Sequence, residues 1–157
     1  MSQTTTTAFV IDSEQSDRPS WTETFMDLAD VMAKRSVIET QVGAVLVQDR
    51  RVVSTGYNGR PTGAFDNHRV GKYQLDEVHA EINAIAFAAR FGISTEGATI
   101  YVTVAPCVHC AKAIIQAGIK HVVCYDRKAR DQEACPDGEW LLKRHDVGVT
   151  HVVREDA

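Results

Sequence analysis

The chain has 157 residues, 44% of them hydrophobic and 24% charged, which is enough for one domain with its own apolar core and too ordinary for a fibrous or wholly disordered protein. A formal net charge of −4 argues against a broad basic surface, so neither duplex DNA nor a large RNA is expected as a partner. No apolar run approaches the roughly 18 residues of a membrane-spanning helix, and residues 1–17 lack the basic start and apolar core of a secretory signal, so a cytoplasmic protein is expected.

Residues 1–17 are low in complexity and read as a disordered tail, leaving 18–157 as a single domain. Ser20-Trp21-Thr22-Glu23 is a capping-box pattern, and it predicts a first helix with Trp21, Phe25, Leu28 and Met32 along a core-facing stripe. Residues 42–47 and 51–57 are β-rich runs joined by Gln48-Asp49-Arg50, a hairpin. Three glycines and a proline in Gly56-Tyr57-Asn58-Gly59-Arg60-Pro61-Thr62-Gly63 then break regular structure, and a loop runs on to about residue 76.

A second helix is predicted over 77–91, dense in Ala, Ile and Phe, largely buried, with Gly92 as its stop. A strand at 99–104, a helix from Pro106 to Gly118 and a strand at 121–125 make a β-α-β unit, whose two strands should be parallel. A helix at 137–145 and a strand at 149–153 complete the order. The fold expected is α/β, a three-layer α/β/α sandwich with a mixed five-stranded sheet.

His79-Ala80-Glu81 and Pro106-Cys107-Val108-His109-Cys110 match the His-x-Glu and Pro-Cys-x-x-Cys signature of zinc-dependent nucleobase deaminases. A catalytic zinc takes three protein ligands and keeps a fourth position for water, and His79, Cys107 and Cys110 supply three. The cysteines, three apart in the first turn of a helix that Pro106 opens, would bring both sulfurs to one side where the helix dipole favours thiolates. His79 would likewise sit in the first turn of its own helix. Two thiolates cancel the charge of the ion, so water there needs a base, and Glu81 is placed to take its proton and pass it to the leaving amine. A closed, purely structural zinc site would need a fourth ligand. Cys124 in an apolar strand, Cys135 in a polar loop and His109 between the two cysteines all lack the spacing for that place.

With these residues in hand, the chain resembles the deoxycytidylate (dCMP) deaminases of the cytidine deaminase-like superfamily. The likeness spans residues 42–125. It is carried by Val42-Gly43-Ala44-Val45, the Gly-Tyr-Asn-Gly-x-Pro-x-Gly stretch 56–63, Val78-His79-Ala80-Glu81-Ile82-Asn83-Ala84-Ile85, and the stretch from Tyr101 through Cys107 and Cys110 to Lys112. The resemblance implies hydrolysis of dCMP to dUMP and ammonia, feeding thymidylate synthesis, with one catalytic Zn2+. It also implies that Asn58 bonds the sugar or base, that Val42 lines the base pocket and that Tyr125, beside the metal helix, closes it. The phosphate would be met from among Lys34, Arg35, Ser36, Arg60, Arg69 and Lys72.

Arg90 lies eleven residues after His79, roughly 16 Å along a helix axis. That is too far for one nucleotide to reach from the metal, so Arg90 is read with Gly59 and Arg60 as a regulatory or subunit-contact residue. Such deaminases are homo-oligomers, often hexamers, switched by dCTP and dTTP, which makes these the expected partner and effectors. Relatives hold a second, structural zinc with extra Cys and His after Gly-Tyr-Asn-Gly. Here residues 64–76 offer His68 alone, which argues against that ion and puts the regulation in question. The competing readings are a deaminase of a modified dCMP, of tRNA adenosine, of guanine or of the riboflavin pathway, and a nucleotide-sensing protein without turnover. The acidic balance disfavours the tRNA enzyme, and retention of Glu81 beside all three ligands disfavours the sensor.

Overall fold

Ser20 and Glu23 form the capping box that their spacing predicts. Ser20 Oγ accepts from the Glu23 N–H at 3.2 Å and Glu23 Oε2 from the Ser20 N–H at 2.6 Å, opening α1 (Trp21–Ala33). The computed structural model describes residues 18–63, 76–126 and 136–153; the expectations for residues 1–17, His68, Arg69, Lys72 and Cys135 lie outside the described residues.

The face that α1 buries is not the expected one. Phe25, Met26, Ala29 and Ala33 are buried, whereas Trp21 and Leu28 are exposed. The cause is Gly43 in β1 (Gly43–Gln48), where a Cβ would stand 2.0 Å from the Ala29 carbonyl oxygen and 2.5 Å from the Ala33 nitrogen. Helix backbone rests on strand backbone, so alanines must face the sheet and the larger residues turn outward. Asp49 and Arg50 both take positive φ, a two-residue turn into β2 (Arg51–Tyr57), and the Arg50 guanidinium lies over the Trp21 ring.

The remaining elements are α2 (Ala80–Arg90), β3 (Thr99–Val102), α3 (Val108–Gln116), β4 (His121–Tyr125), α4 (Pro136–Arg144) and β5 (Gly148–Val152). The sheet runs β2-β1-β3-β4-β5, with β1 antiparallel to both neighbours and β3, β4 and β5 mutually parallel. Alternation divides the core. Ala44, Leu46, Ile100, Val102, Val122 and Cys124 meet alanines of α2, Ile114 of α3 and Leu142 of α4, whereas Val45, Val47, Tyr101 and Val123 meet Phe25 and Met26 of α1. This is the three-layer α/β/α arrangement with a mixed five-stranded sheet. Among the described residues no helix is long and apolar enough to cross a membrane.

The second helix is shorter and less buried than its composition suggests. It buries Ala80, Glu81, Ala84 and Ala88, while Phe87 and Phe91 are exposed. Gly56 in β2 explains the choice: a Cβ there would lie 2.2 Å from the Ala80 carbonyl oxygen, so α2 presses its alanine face on the strand. Asn83 adds a tie at this crossing by donating from Nδ2 to the Tyr57 carbonyl at 2.9 Å. The start of α2 is thereby held against the edge hairpin.

Candidate active site

Two helices begin at the same point in space. His79 is the N-cap of α2 and Cys107 the N-cap of α3, each in extended conformation and neither bonding a backbone N–H with its side chain. The sequence reading placed both inside the first turn, with Pro106 opening the helix. In the structure Pro106 precedes the cap, because Cys107 keeps the extended ψ of 171° that leaves its sulfur free to turn toward His79. Cys110 follows three residues on, fully buried.

His79 Nδ1 lies 3.6 Å from Cys107 Sγ and 3.4 Å from Cys110 Sγ, and the three donor atoms all fall within 4.8 Å of one another. Tetrahedral zinc with ordinary Zn–N and Zn–S bonds sets such nitrogen–sulfur edges at about 3.6 Å. The triad therefore fits zinc in size and in donor type. Among the described residues no other Cys, His or carboxylate joins it, so one coordination position stays available. Cys124 instead faces His151 Nδ1 at 3.6 Å, so it is not a fourth ligand of the triad.

The charges of the site are arranged for a cation. The Cys110 thiol, His79 and the N–H groups at the start of α3 hold Cys107 down at about 3. Facing the Cys107 sulfur pushes His79 up to about 9, and the same sulfur together with burial pushes the Cys110 thiol up. Glu81 is 4% exposed, its carboxyl lies against Cys110, and burial pushes it above the usual carboxylate range. Gly138 of α4 packs so closely that a Cβ would stand 2.2 Å from the Pro106 carbonyl oxygen, which braces the start of α3 from outside.

Val42 and Asn58 are bonded to each other at the end of β2. Asn58 is buried, its N–H donates to the Val42 carbonyl at 3.0 Å and its Oδ1 accepts from the Val42 N–H at 2.8 Å. It is not among the non-glycine residues with positive φ, so it is no left-handed turn residue. Its Nδ2 donates to the Thr40 carbonyl at 2.7 Å and to Glu77 Oε1 at 2.8 Å. Glu77 was missed from the sequence. The available signal was its place two before His79, since side chains two apart in extended chain share a side.

Ser36 is buried, its Oγ accepting from the Ile38 N–H and its carbonyl from Gln41 Nε2, so it shapes the turn into Val42; Arg35 beside it is exposed. Tyr125 does not lie beside the metal helix. It packs with the α1 cluster and its hydroxyl donates to Asp30, because an odd register position in β4 puts it on the opposite face from Cys124.

Gly59 pairs with Val78 as an antiparallel bridge, through N–H to carbonyl contacts of 3.1 and 2.7 Å. Arg60 reaches Asp76 at 3.5 Å and lines a cleft of about 350 Å3 with Gly56, Tyr57, Asn83 and Phe87. That cleft contains none of the metal triad. Arg90 ends α2, exposed, with its guanidinium 6.0 Å from the Phe91 ring and the length of the helix between it and His79.

A Cys-Cys-His triad at converging helix starts, with a buried carboxyl against it on a mixed five-stranded sheet, defines the class: a zinc-dependent deaminase. The chain belongs to the family described as "Cytidine and deoxycytidylate deaminase zinc-binding region", whose profile matches residues 19–126. It is 39% identical over 142 residues to "ComE operon protein 2" of Bacillus subtilis, covering 87% of this chain and 73% of that one. It is 37% identical over 148 residues to the mouse deoxycytidylate deaminase, covering 87% and 81%. Among solved structures, the cyanophage S-TIM5 dCMP deaminase in complex with dCMP and dUMP superposes with a TM-score of 0.76 at 28% identity, covering 87% of this chain and all of the other.

Proposed function

We infer that this chain is a dCMP deaminase, a hydrolase that converts dCMP and water to dUMP and ammonia. The observation that carries the reading is the buried Glu81 carboxyl against Cys110, beside three zinc-fitting donors, in a chain whose relatives include deoxycytidylate deaminases and a dCMP deaminase holding dCMP and dUMP. His79, Cys107 and Cys110 would hold the zinc, which would supply Lewis acidity to the attacking water. Glu81 does the proton work: its carboxylate takes a proton from the water that attacks C4 and delivers it to N3, then carries the remaining proton of the new C4 hydroxyl to the amino group, so that the C4–N bond breaks, C4=O forms and ammonia leaves. Glu81 itself is shielded from bulk water by burial.

Val42, in contact with the core beside α2, would form one wall for the base, with Asn58 behind it, and Arg35 at the end of α1 would meet the phosphate. The reading extends to a homo-oligomer, a hexamer, with dCTP and dTTP as effectors acting at the Arg60 cleft and through Gly59 and Arg90. It places the enzyme in the cytoplasm, where Cys107 and Cys110 stay reduced.

The test is ammonia release from the zinc-loaded protein with dCMP, CMP, dCTP, deoxycytidine, 5-substituted dCMP, dAMP and guanine. Turnover of dCMP with silence on nucleoside and free base is the expected result; preference for any other compound overturns the substrate. Light scattering with and without dCTP or dTTP reads subunit number and its response.

A further inference from the structure

Behind the metal centre, α4 touches the peptide on which α3 starts. Gly138, in the first turn of α4, lies so close that a Cβ there would stand 2.2 Å from the Pro106 carbonyl oxygen and 2.9 Å from the Cys107 carbonyl carbon. That Cys107 carbonyl accepts the Ala111 N–H at 2.8 Å, the first hydrogen bond of α3, so the place of this turn and the place of the ligand Cys107 are linked. The apolar hold on α4 comes later in the helix, from Leu141 and Leu142. In its first turn Asp137 and Trp140 are exposed and Gly138 has no side chain, which leaves Glu139. Its two partners differ in kind. Lys143 at 2.6 Å belongs to the same helix and ties α4 only to itself, whereas His151 Nε2 at 3.2 Å belongs to β5. His151 is in turn the cross-strand neighbour of Cys124 in β4, whose buried sulfur faces its Nδ1 at 3.6 Å. A neutral ring that donates from Nε2 to Glu139 presents Nδ1 as acceptor to that thiol, so the two neighbours agree on one tautomer and one ring orientation.

We propose that Glu139 and His151 are positioning residues for the zinc ligands: their hydrogen bond seats the first turn of α4 against Pro106 and Cys107, and so sets where the Cys107 sulfur stands relative to Cys110 and His79. This rests on the zinc-deaminase reading of the site and not on which nucleotide is deaminated. Cys107 is the ligand that needs such support. Cys110 is fully buried inside α3, and His79 follows Val78, which the bridge to Gly59 holds. Cys107 is a half-buried N-cap in extended conformation whose side chain bonds no backbone N–H. A ligand of that kind keeps the geometry that a tetrahedral ion requires only if the peptide carrying it cannot shift. The pair does not touch the metal position; it acts through Gly138 and the Cys107 peptide.

The experiment measures zinc affinity by chelator competition, and the ligand-field absorption of the cobalt(II)-loaded protein, for Glu139→Ala, His151→Ala, Glu139→Gln and Lys143→Ala, with circular dichroism to confirm folding. Glu139→Ala and His151→Ala are each expected to weaken zinc binding by about 10-fold, the lower end for a group behind the ligands. Each should also shift the cobalt bands, which report ligand geometry and which a loss of stability alone leaves in place. The double variant should do no more than either single one. Glu139→Gln keeps a carbonyl acceptor for His151 and should stay close to native. Lys143→Ala removes only the bond within α4 and should leave both readouts native. His151→Phe keeps the ring's bulk without its donor and serves if an alanine variant fails to fold. Native affinity and native cobalt bands in the Glu139 and His151 variants overturn the proposal, and so does a Lys143→Ala protein that matches Glu139→Ala. Native protein that takes up no zinc overturns the underlying reading instead.

Discussion

The two ends of the site are built differently. The metal end uses four residues from two short motifs, each at or just inside a helix start, and helix geometry does the positioning. The Asn58 network joins Thr40, Val42, Asn58 and Glu77, drawn from three separate loop and strand segments, by hydrogen bonds spanning 16 to 19 residues in sequence. A helix start carries its own polarity and orphan N–H groups, so it makes a site for charge wherever it is placed. A loop network has no such intrinsic order and holds only while every partner is present. The metal end should therefore fail by losing one function at a time, the Asn58 network by losing several bonds together.

The largest expected break is at the ligands. His79→Ala or Cys110→Ala should drop zinc content, read by atomic absorption, well below one per chain and bring deamination to background. Chelation of the native enzyme should do the same and reverse on adding zinc. Glu81→Gln separates chemistry from metal: zinc binding should persist while kcat falls by about 10²–10⁴-fold, the usual range for a general acid–base group. Near-native turnover of that variant would remove Glu81 from the proposed role.

A smaller effect tests the scaffold beneath each face of the sheet. Gly56→Ala and Gly43→Ala both force a Cβ into helix backbone, at 2.2 and 2.0 Å, so each should cost about 1–3 kcal/mol or more in denaturant unfolding. Only Gly56→Ala moves the start of α2, so it alone should also lower kcat/KM in the folded fraction. Equal loss of activity in both variants would show that α1 and α2 are equally coupled to the site.

The smallest effect is a pH dependence away from the chemistry. Burial pushes His121 below its ordinary value, with Nε2 held 2.8 Å from Thr150 Oγ1. The unfolded chain therefore takes up that proton first, near pH 6.5. Stability present above that pH is lost as pH falls toward the depressed folded value. His121→Gln should flatten this part of the stability profile, measured by urea midpoint between pH 7 and 5, and leave kcat unchanged.

The metal end was legible because ligand chemistry is local: His79-x-Glu81 and Cys107-x-x-Cys110 are short spacings on single elements, and zinc accepts few donor sets. The parallel pairing of β3 and β4 was legible for a similar reason, since the β-α-β spacing forces it. The burial phase of α1 and α2 was not, because it depends on glycines in strands that meet the helices only after folding. Glu77 has no motif of its own, and the face of Tyr125 followed from register in the sheet.

Sequence alone thus determined the reaction centre and the class of its chemistry, since those rest on residue types at fixed short separations. Only the tertiary structure decided how Asn58 is partnered, because its hydrogen bonds to Thr40 and Glu77 join segments that meet only after folding.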